Sequence, residues 1–360
     1  MPTSRSHSNP ILITGGAGFI GSNFVHHWLN TQESHLINLD ALTYSGNLNN
    51  LKDIAEDPRY TFIHGDVGDR DKVRALLHKT KPRAILHFAA ETHVDRSIKT
   101  PESFVNTNVI ASYHLLEEIL GYWKELDQAE KQSFRFLNIS TDEVFGSLEK
   151  NDAPTVEESP YRPNSPYSAS KAAFNHLARA YHATFNLPVI TTYCSNNFGP
   201  YQFPEKLIPL MVVQALQSKP LPIYGDGKQM RNWLYVEDHC KALNLILENG
   251  VPGSSYNIGS DNELDNLTLV NLICTLLDEL LPSSPSRPYK QLIQHVADRP
   301  GHDRKYSLDS SKIKKELGWT PTGNFEEHLR NTVQWYLRNF AWVENVLSGD
   351  YRLWMASQYE

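Results

Sequence analysis

Ile11-Leu12-Ile13-Thr14-Gly15-Gly16-Ala17-Gly18-Phe19-Ile20-Gly21 is the stretch on which the architecture turns. The first four residues are an apolar, largely β-branched run, the composition of a strand buried on both faces. Gly15, Gly18 and Gly21 then recur at every third residue, where strand gives way to the helix continued by Asn23 to Leu29. Glycines at this junction let the backbone turn tightly and bring helix N-terminal N–H groups against a pyrophosphate. A second apolar segment, Leu36-Ile37-Asn38-Leu39, ends in Asp40. An acid about twenty residues past the glycines accepts hydrogen bonds from an adenosine ribose and repels a 2′-phosphate, which favours NAD over NADP. The fold expected is α/β: a Rossmann-type doubly wound parallel sheet, with a smaller mixed α/β substrate lobe toward the C-terminus.

The same alternation of strand and loop continues. Tyr60 to Gly65 leads to Asp66 and Val67, where Asp66 is a candidate partner for an adenine amino group. Ala84 to Phe88 leads to Ala89 and Ala90, small enough for a cofactor to lie against the backbone, and Phe134 to Ile139 delivers Ser140-Thr141-Asp142-Glu143. Ligands of open α/β sheets bind outside the carboxyl ends of the strands, so these motifs share one rim. The division expected is a disordered extension over 1–10, an NAD-binding domain over 11–195 with returning segments near 234–262, and a lobe over 196–360 that mainly binds substrate.

A chain of 360 residues has enough length for a large core, and 40% hydrophobic with 11% aromatic residues fits a globular enzyme. A net charge of −7 gives no general basic field for nucleic acid. Cys194, Cys240 and Cys274 stand far apart, and the fifteen histidines show no H-E-x-x-H spacing, so neither a disulfide framework nor a metal site is expected. The segment Met1 to Pro10 is polar, and the most apolar helix, Leu267 to Leu281, is interrupted by Thr268, Asn271, Thr275, Asp278 and Glu279. That pattern belongs to a buried helix, not a membrane span, and the expected location is cytoplasmic.

Chemistry enters with Ser140-Thr141-Asp142-Glu143-Val144-Phe145-Gly146 and Tyr167-Ser168-Ala169-Ser170-Lys171. Tyr167 and Lys171, four apart, project from one face of a helix. A phenol with a pKa near ~10 is a poor base at neutral pH, and a neighbouring ammonium is expected to lower that value. Beyond residue 195, Lys206 and Arg231 are candidate cations for a diphosphate, with Arg231 suited to a bidentate grip. Tyr224, before Gly225-Asp226-Gly227, is a candidate for stacking on a base.

These motifs, with Ala89-Ala90-Glu91-Thr92-His93-Val94-Asp95-Arg96-Ser97, Phe203-Pro204-Glu205-Lys206-Leu207-Ile208-Pro209 and Asp298-Arg299-Pro300-Gly301-His302-Asp303, closely resemble the dTDP-glucose 4,6-dehydratase family. That family lies within the extended short-chain dehydrogenase/reductases, and the likeness runs from about residue 11 nearly to the C-terminus. It implies a tightly held NAD, a dTDP-glucose substrate and a homodimer joined through a helix bundle. By the same resemblance, Tyr167 is the base at the C4 hydroxyl as hydride passes to NAD, and Thr141 bonds the C4 oxygen. Glu143 removes the C5 proton, Asp142 protonates the departing C6 hydroxyl, and Lys171 tunes Tyr167 and holds the nicotinamide ribose. Phe19, Ile20, Asp40, Thr43, Asp66, Val67, Ala89, Ala90, Thr107 and Asn197 match cofactor contacts. Glu91, Asn196, Lys206, Leu207, Tyr224, Arg231, Asn266, Asp298, Arg299 and His302 match substrate contacts.

Three positions depart from the family pattern: Phe145 stands where Tyr is usual, Thr92 where Ser is usual, and Ala41 where Lys often follows the ribose-binding acid. Ala41 removes a cation near the adenosine. Among rival activities, a nucleotide-sugar 4-epimerase has no use for the Asp142–Glu143 pair, and a uronate decarboxylase needs a cation for a carboxylate. UDP-glucose or GDP-mannose 4,6-dehydration remains the nearest alternative. A cofactor-sensing regulator would not need both the Tyr-Lys pair and the acids.

Overall fold

Short apolar runs separated by amphipathic helices assemble into a layered α/β protein in this computed structural model, which describes residues 9–347. In chain order the strands are β1 Ile11–Thr14, β2 Leu36–Asp40, β3 Tyr60–His64, β4 Ala84–His87, β5 Arg135–Thr141, β6 Val189–Cys194, β7 Asn196–Phe198, β8 Leu221–Tyr224, β9 Met230–Tyr235, β10 Ser255–Ile258, β11 Glu263–Asp265 and β12 Ile293–Val296. Seven form one parallel sheet in the order β10-β6-β5-β4-β1-β2-β3. Every residue of β1, β2, β4, β5 and β6 is buried, as expected where helices cover both faces.

Alternation along the strands feeds two cores. Ile11 and Ile13 point toward helices Phe19–Thr31 and Val236–Asn249, packing with Phe24, Trp28, Leu243 and Ile246. Leu12 points to the other face, where Val73, Leu77, Leu116, Ile119 and Phe174 close the layer. The strand order reverses between β1 and β4, and this opens the crevice in which such sheets bind ligands. Helix Val236–Asn249 and β10 come from beyond residue 195, and β10 extends the sheet beside β6.

The smaller lobe is mixed. A three-stranded sheet β11-β9-β7 and a two-stranded sheet β12-β8 pack with helices Leu207–Leu216, Asn266–Leu280 and Phe325–Arg338. Leu210, Met211, Ile273, Leu277, Val333 and Tyr336 make its separate core. Helix Asn266–Leu280 buries Leu269, Val270, Ile273, Leu276 and Leu277 there, and among the described residues no helix is long and apolar enough to cross a membrane. The disorder expected over 1–10 falls outside the described residues except for Asn9 and Pro10.

Candidate active site

The glycine turn shows two different reasons for glycine. Gly15 has φ +74°, and a side chain there would meet the Ala89 backbone nitrogen at 2.6 Å, because the turn is pressed against the end of β4. Gly18 has φ −78°, open to any residue, and an added methyl would meet only the Gly15 carbonyl at 3.3 Å. Its exposed side faces a cavity of about 290 Å³ instead. Helix Phe19–Thr31 begins there with no side-chain cap and no acid in its first turn, so its orphan N–H groups suit an anion.

That cavity is lined by Gly15, Gly18, Phe19, Ile20, Gly21, Asp40, Thr43, Asp66, Val67, Ala89, Ala90, Thr107 and Asn197, with Tyr167 and Lys171 on its wall. Asp40 accepts from Ala17 N at 2.8 Å and from Leu42 N at 2.7 Å, one bond on each oxygen, which leaves lone pairs for a ribose. An anion cradle, a ribose acceptor and a floor of small residues fit a dinucleotide. Among the described residues no cluster of His, Cys, Asp or Glu could hold a metal ion.

β5 ends at Thr141, whose hydroxyl caps the 3₁₀ turn Asp142–Phe145 by accepting from Glu143 N at 3.3 Å. This turn sends Asp142 inward and leaves Glu143 half-buried on a wall shared with a second cavity of about 160 Å³. Burial, then the charge of Glu143, raises Asp142 to about 8, and its Oδ2 has no hydrogen-bond partner. Burial also raises Glu143, opposed by the positive charges of Arg299, Lys206 and Arg231. One acid is held protonated at neutral pH while its neighbour sits under three cations, the separation that lets two carboxyls divide acid and base work.

Helix Pro166–Phe185, opened by a Ser165–Ser168 capping box with Pro166 in its first turn, carries Tyr167 and Lys171 on its buried face. Here the structure corrects an expectation. Lys171 Nζ donates to the Ile139 carbonyl at 2.8 Å, whereas the Thr141 hydroxyl is the polar side chain that favours the Tyr167 phenolate, against burial. Burial, reinforced by Glu143, raises Tyr167 well above 10, and burial lowers Lys171 to about 8. In the protein alone, the ammonium does not bring the phenol down.

The second cavity gathers Asn196, Lys206, Leu207, Tyr224, Arg231, Asn266, Arg299 and His302, and it shares Glu143, Asn196, Glu205 and Lys206 with the first. Arg231 is buried over the Tyr306 ring, 4.4 Å from its centroid, and donates to the carbonyls of Met230 and Asp303. Among the described residues no carboxylate lies within ion-pair distance of it, so this buried cation is open to an anion in the cavity. Tyr224 donates to Asp95 Oδ2 at 3.2 Å, and Arg299 pairs with Asp95 Oδ1 at 2.9 Å. Three expected substrate contacts stand outside this second cavity, Thr141 among them, on the wall of the first. Glu91 lines the first cavity, and Asp298 lines neither: it accepts from His302 Nδ1 at 2.6 Å and from Gln229 Nε2 at 3.1 Å, and so fixes the side chains behind the cavity.

Supporting residues that pattern reading passed over are buried polar groups, two of them inside apolar strands. Asn38 in β2 accepts from Gly16 N at 3.0 Å and holds the glycine turn. Asn108, in the π-helical turn Asn106–Ala111, accepts from Glu91 N and donates to Glu91 O and to Ser170. His87 joins Thr14 at 2.8 Å to Ser112 at 2.9 Å, and Ser112 donates to the Thr107 carbonyl at 3.1 Å. Since Ser112 has one hydrogen to give, His87 carries its proton on Nε2 and accepts from Thr14 on Nδ1. A lone buried-strand Asn or His was the available signal.

A family model described as GDP-mannose 4,6 dehydratase matches residues 12–332. The chain is similar to a dTDP-glucose 4,6-dehydratase of Salmonella typhimurium, 51% identical over 358 residues, covering 97% of this chain and 99% of the relative. Among solved structures it is similar to a dTDP-glucose 4,6-dehydratase of Bacillus anthracis in complex with NAD, with TM-score 0.83 and 46% identity over 94% of this chain and 100% of that one. It is likewise similar to a dTDP-glucose 4,6-dehydratase of Streptomyces venezuelae with NAD and TYD bound, with TM-score 0.85 and 43% identity over 94% and 99%.

Proposed function

From the premise that this chain belongs to the GDP-mannose 4,6-dehydratase family, we infer that it is an NAD-dependent hydro-lyase converting dTDP-glucose to dTDP-4-keto-6-deoxyglucose. The observation that carries this is the Asp142–Glu143 pair: adjacent acids at the end of β5, one shifted to about 8 by burial, the other under three cations. An enzyme confined to C4 redox chemistry has no use for both.

Tyr167, with Thr141 favouring its phenolate, takes the proton of the C4 hydroxyl. When bound, NAD supplies the acceptor for hydride from C4 and the donor that returns it to C6, and its oxidised ring brings the positive charge that favours the Tyr167 phenolate. A ketone at C4 acidifies the C5 proton, which Glu143 removes and gives back to C5 once hydride has returned to C6. Asp142 gives its proton to the C6 hydroxyl, and water leaves across C5–C6. Arg231 and Lys206 hold the diphosphate, Tyr224 meets the base, and Lys171, anchored on Ile139, positions the nicotinamide ribose.

The domain division we adopt is a cofactor lobe over 11–195 with returning segments near 234–262, and a substrate lobe over the rest. The working form is a cytoplasmic homodimer. Val105, Ile110 and Phe185 support that form: all are exposed apolar residues on the helical layer formed by 101–125 and Pro166–Phe185.

The test is incubation of the purified protein with dTDP-glucose, UDP-glucose and GDP-mannose, reading the alkali-dependent absorbance of a 4-keto-6-deoxy sugar. Signal with dTDP-glucose in large excess over the others is expected. Signal confined to another nucleotide sugar would reassign the substrate, and none with any would overturn the function.

A further inference from the structure

The segment 41–47 between β2 and the 3₁₀ turn Leu48–Ile54 is rooted at its start on Asp40, the end of β2, and at its end on the glycine turn. Leu42 N donates to Asp40 Oδ1 at 2.7 Å at its start, and Asn47 N donates to the Ala17 carbonyl at 3.0 Å at its end. Between these roots Ala41, Thr43, Ser45 and Gly46 line the cofactor cavity, whereas Tyr44 does not. Tyr44 reaches Glu205 and Phe203 of the substrate lobe and Arg96 of its own lobe. Its hydroxyl donates to Glu205 Oε1 at 3.0 Å, the Arg96 guanidinium lies over its ring 3.7 Å from the centroid, and Phe203 meets the ring edge-on at 5.7 Å.

We propose that segment 41–47 is a strap over the bound NAD and that Tyr44, held by Glu205, Arg96 and Phe203, is the latch that keeps it closed and sets the rate of cofactor loss. The inference rests on NAD occupying the cavity. Three contacts of different kind meet on one side chain that touches neither cavity, so the reaction does not account for them. A charge-assisted bond from a phenol and a cation over its ring are both stronger away from water. Burial keeps the phenol of Tyr44 protonated and therefore a donor, and burial raises Glu205 to about 7, so the bond to Glu205 is charge-assisted above that pH and a neutral hydrogen bond below it. An enzyme whose cofactor ends each turnover as it began gains nothing from releasing it, so a closed strap does not slow the cycle.

The experiment uses the holoprotein. Bound NAD is measured after denaturation, and its dissociation rate is followed by exchange against labelled NAD for the parent, Tyr44→Phe, Tyr44→Ala and Arg96→Gln. Losing the hydroxyl is expected to speed dissociation about tenfold in Tyr44→Phe. Tyr44→Ala is expected to be faster still and Arg96→Gln intermediate, with the KM for NAD rising and the melting temperature of the NAD-stripped protein unchanged. Dissociation within twofold of the parent in Tyr44→Ala would overturn the latch, as would a faster rate matched by a fall in the stripped protein's melting temperature. A parent that neither carries nor exchanges NAD would overturn the cofactor reading instead.

Discussion

Asp142 and Glu143 are chemically similar neighbours, and only their surroundings assign them different work. Asp142, raised from 3.8 to about 8 by burial and then by Glu143, is protonated over the neutral range. Its ability to give a proton to the C6 hydroxyl should therefore fall as pH rises past about 8. Asp142→Asn is expected to lower kcat by about 10²–10⁴-fold and to remove that alkaline limb from the pH–rate profile. The linkage runs the same way: the folded protein holds this proton more tightly than the unfolded chain, so stability is lost as pH rises from about 4 through about 8. Asparagine carries no charge to bury, so Asp142→Asn should melt higher than the parent at pH 8–9 in a thermal scan while being the poorer enzyme. Glu143→Gln should still oxidise C4, visible as accumulated NADH absorbance, and lose water elimination by a comparable factor; elimination at the parent rate would place the C5 base elsewhere. The residues themselves were legible because their types and spacing are unusual. Their protonation states were not, since these depend on burial and on partners distant in the chain. Tyr167 shows the consequence: a four-residue spacing suggested Lys171 as its partner, but Lys171 is taken by Ile139 of β5, and burial holds the Tyr167 phenol well above 10.

At the scale of elements, the glycine turn separates folding from binding within four residues. Gly15→Ala forces a side chain into a left-handed backbone that costs about 1–3 kcal/mol, before its contact with Ala89 is counted. It should lower the melting temperature by several degrees with or without NAD. Gly18→Ala keeps a permitted backbone and adds a methyl only where the cavity opens. That variant should melt like the parent when stripped of NAD but bind NAD at least about tenfold more weakly, a loss of about 1.4 kcal/mol in a calorimetric titration. If Gly18→Ala binds as well as the parent, the pyrophosphate does not lie against this turn. The period of three in the glycines, framed by apolar strands, made this element readable. The braces behind it were not readable, because Asn38 and His87 are polar residues in buried strands and Asn108 is the one buried residue of a partly exposed turn, and sequence does not say which buried polar group has found partners. Only the folded backbone shows that His87 ties the end of β1 through Ser112 to Thr107 in the π-helical turn.

For the molecule as a whole, the seven-stranded sheet and the smaller lobe each have their own core, and the two cavities meet where Glu143, Asn196, Glu205 and Lys206 line both. The proposed reaction at that junction would require the helix Pro166–Phe185 to hold Tyr167 and Lys171 still, since they project from its buried face. The outer side of the same helical layer leaves Val105 46% and Ile110 45% exposed, an arrangement that costs solubility in a monomer and contributes apolar area in a dimer. A twofold bundle would therefore brace the catalytic helix from behind. Ile110→Asp combined with Val105→Arg should shift the mass seen by light scattering from two chains to one. If the bundle braces the site, the same variant should lose several-fold in kcat, although neither residue lines a cavity. A variant that remains dimeric would move the interface to another face. One that becomes monomeric with kcat unchanged would keep the interface and show that Tyr167 and Lys171 are held by the packing of their own chain alone.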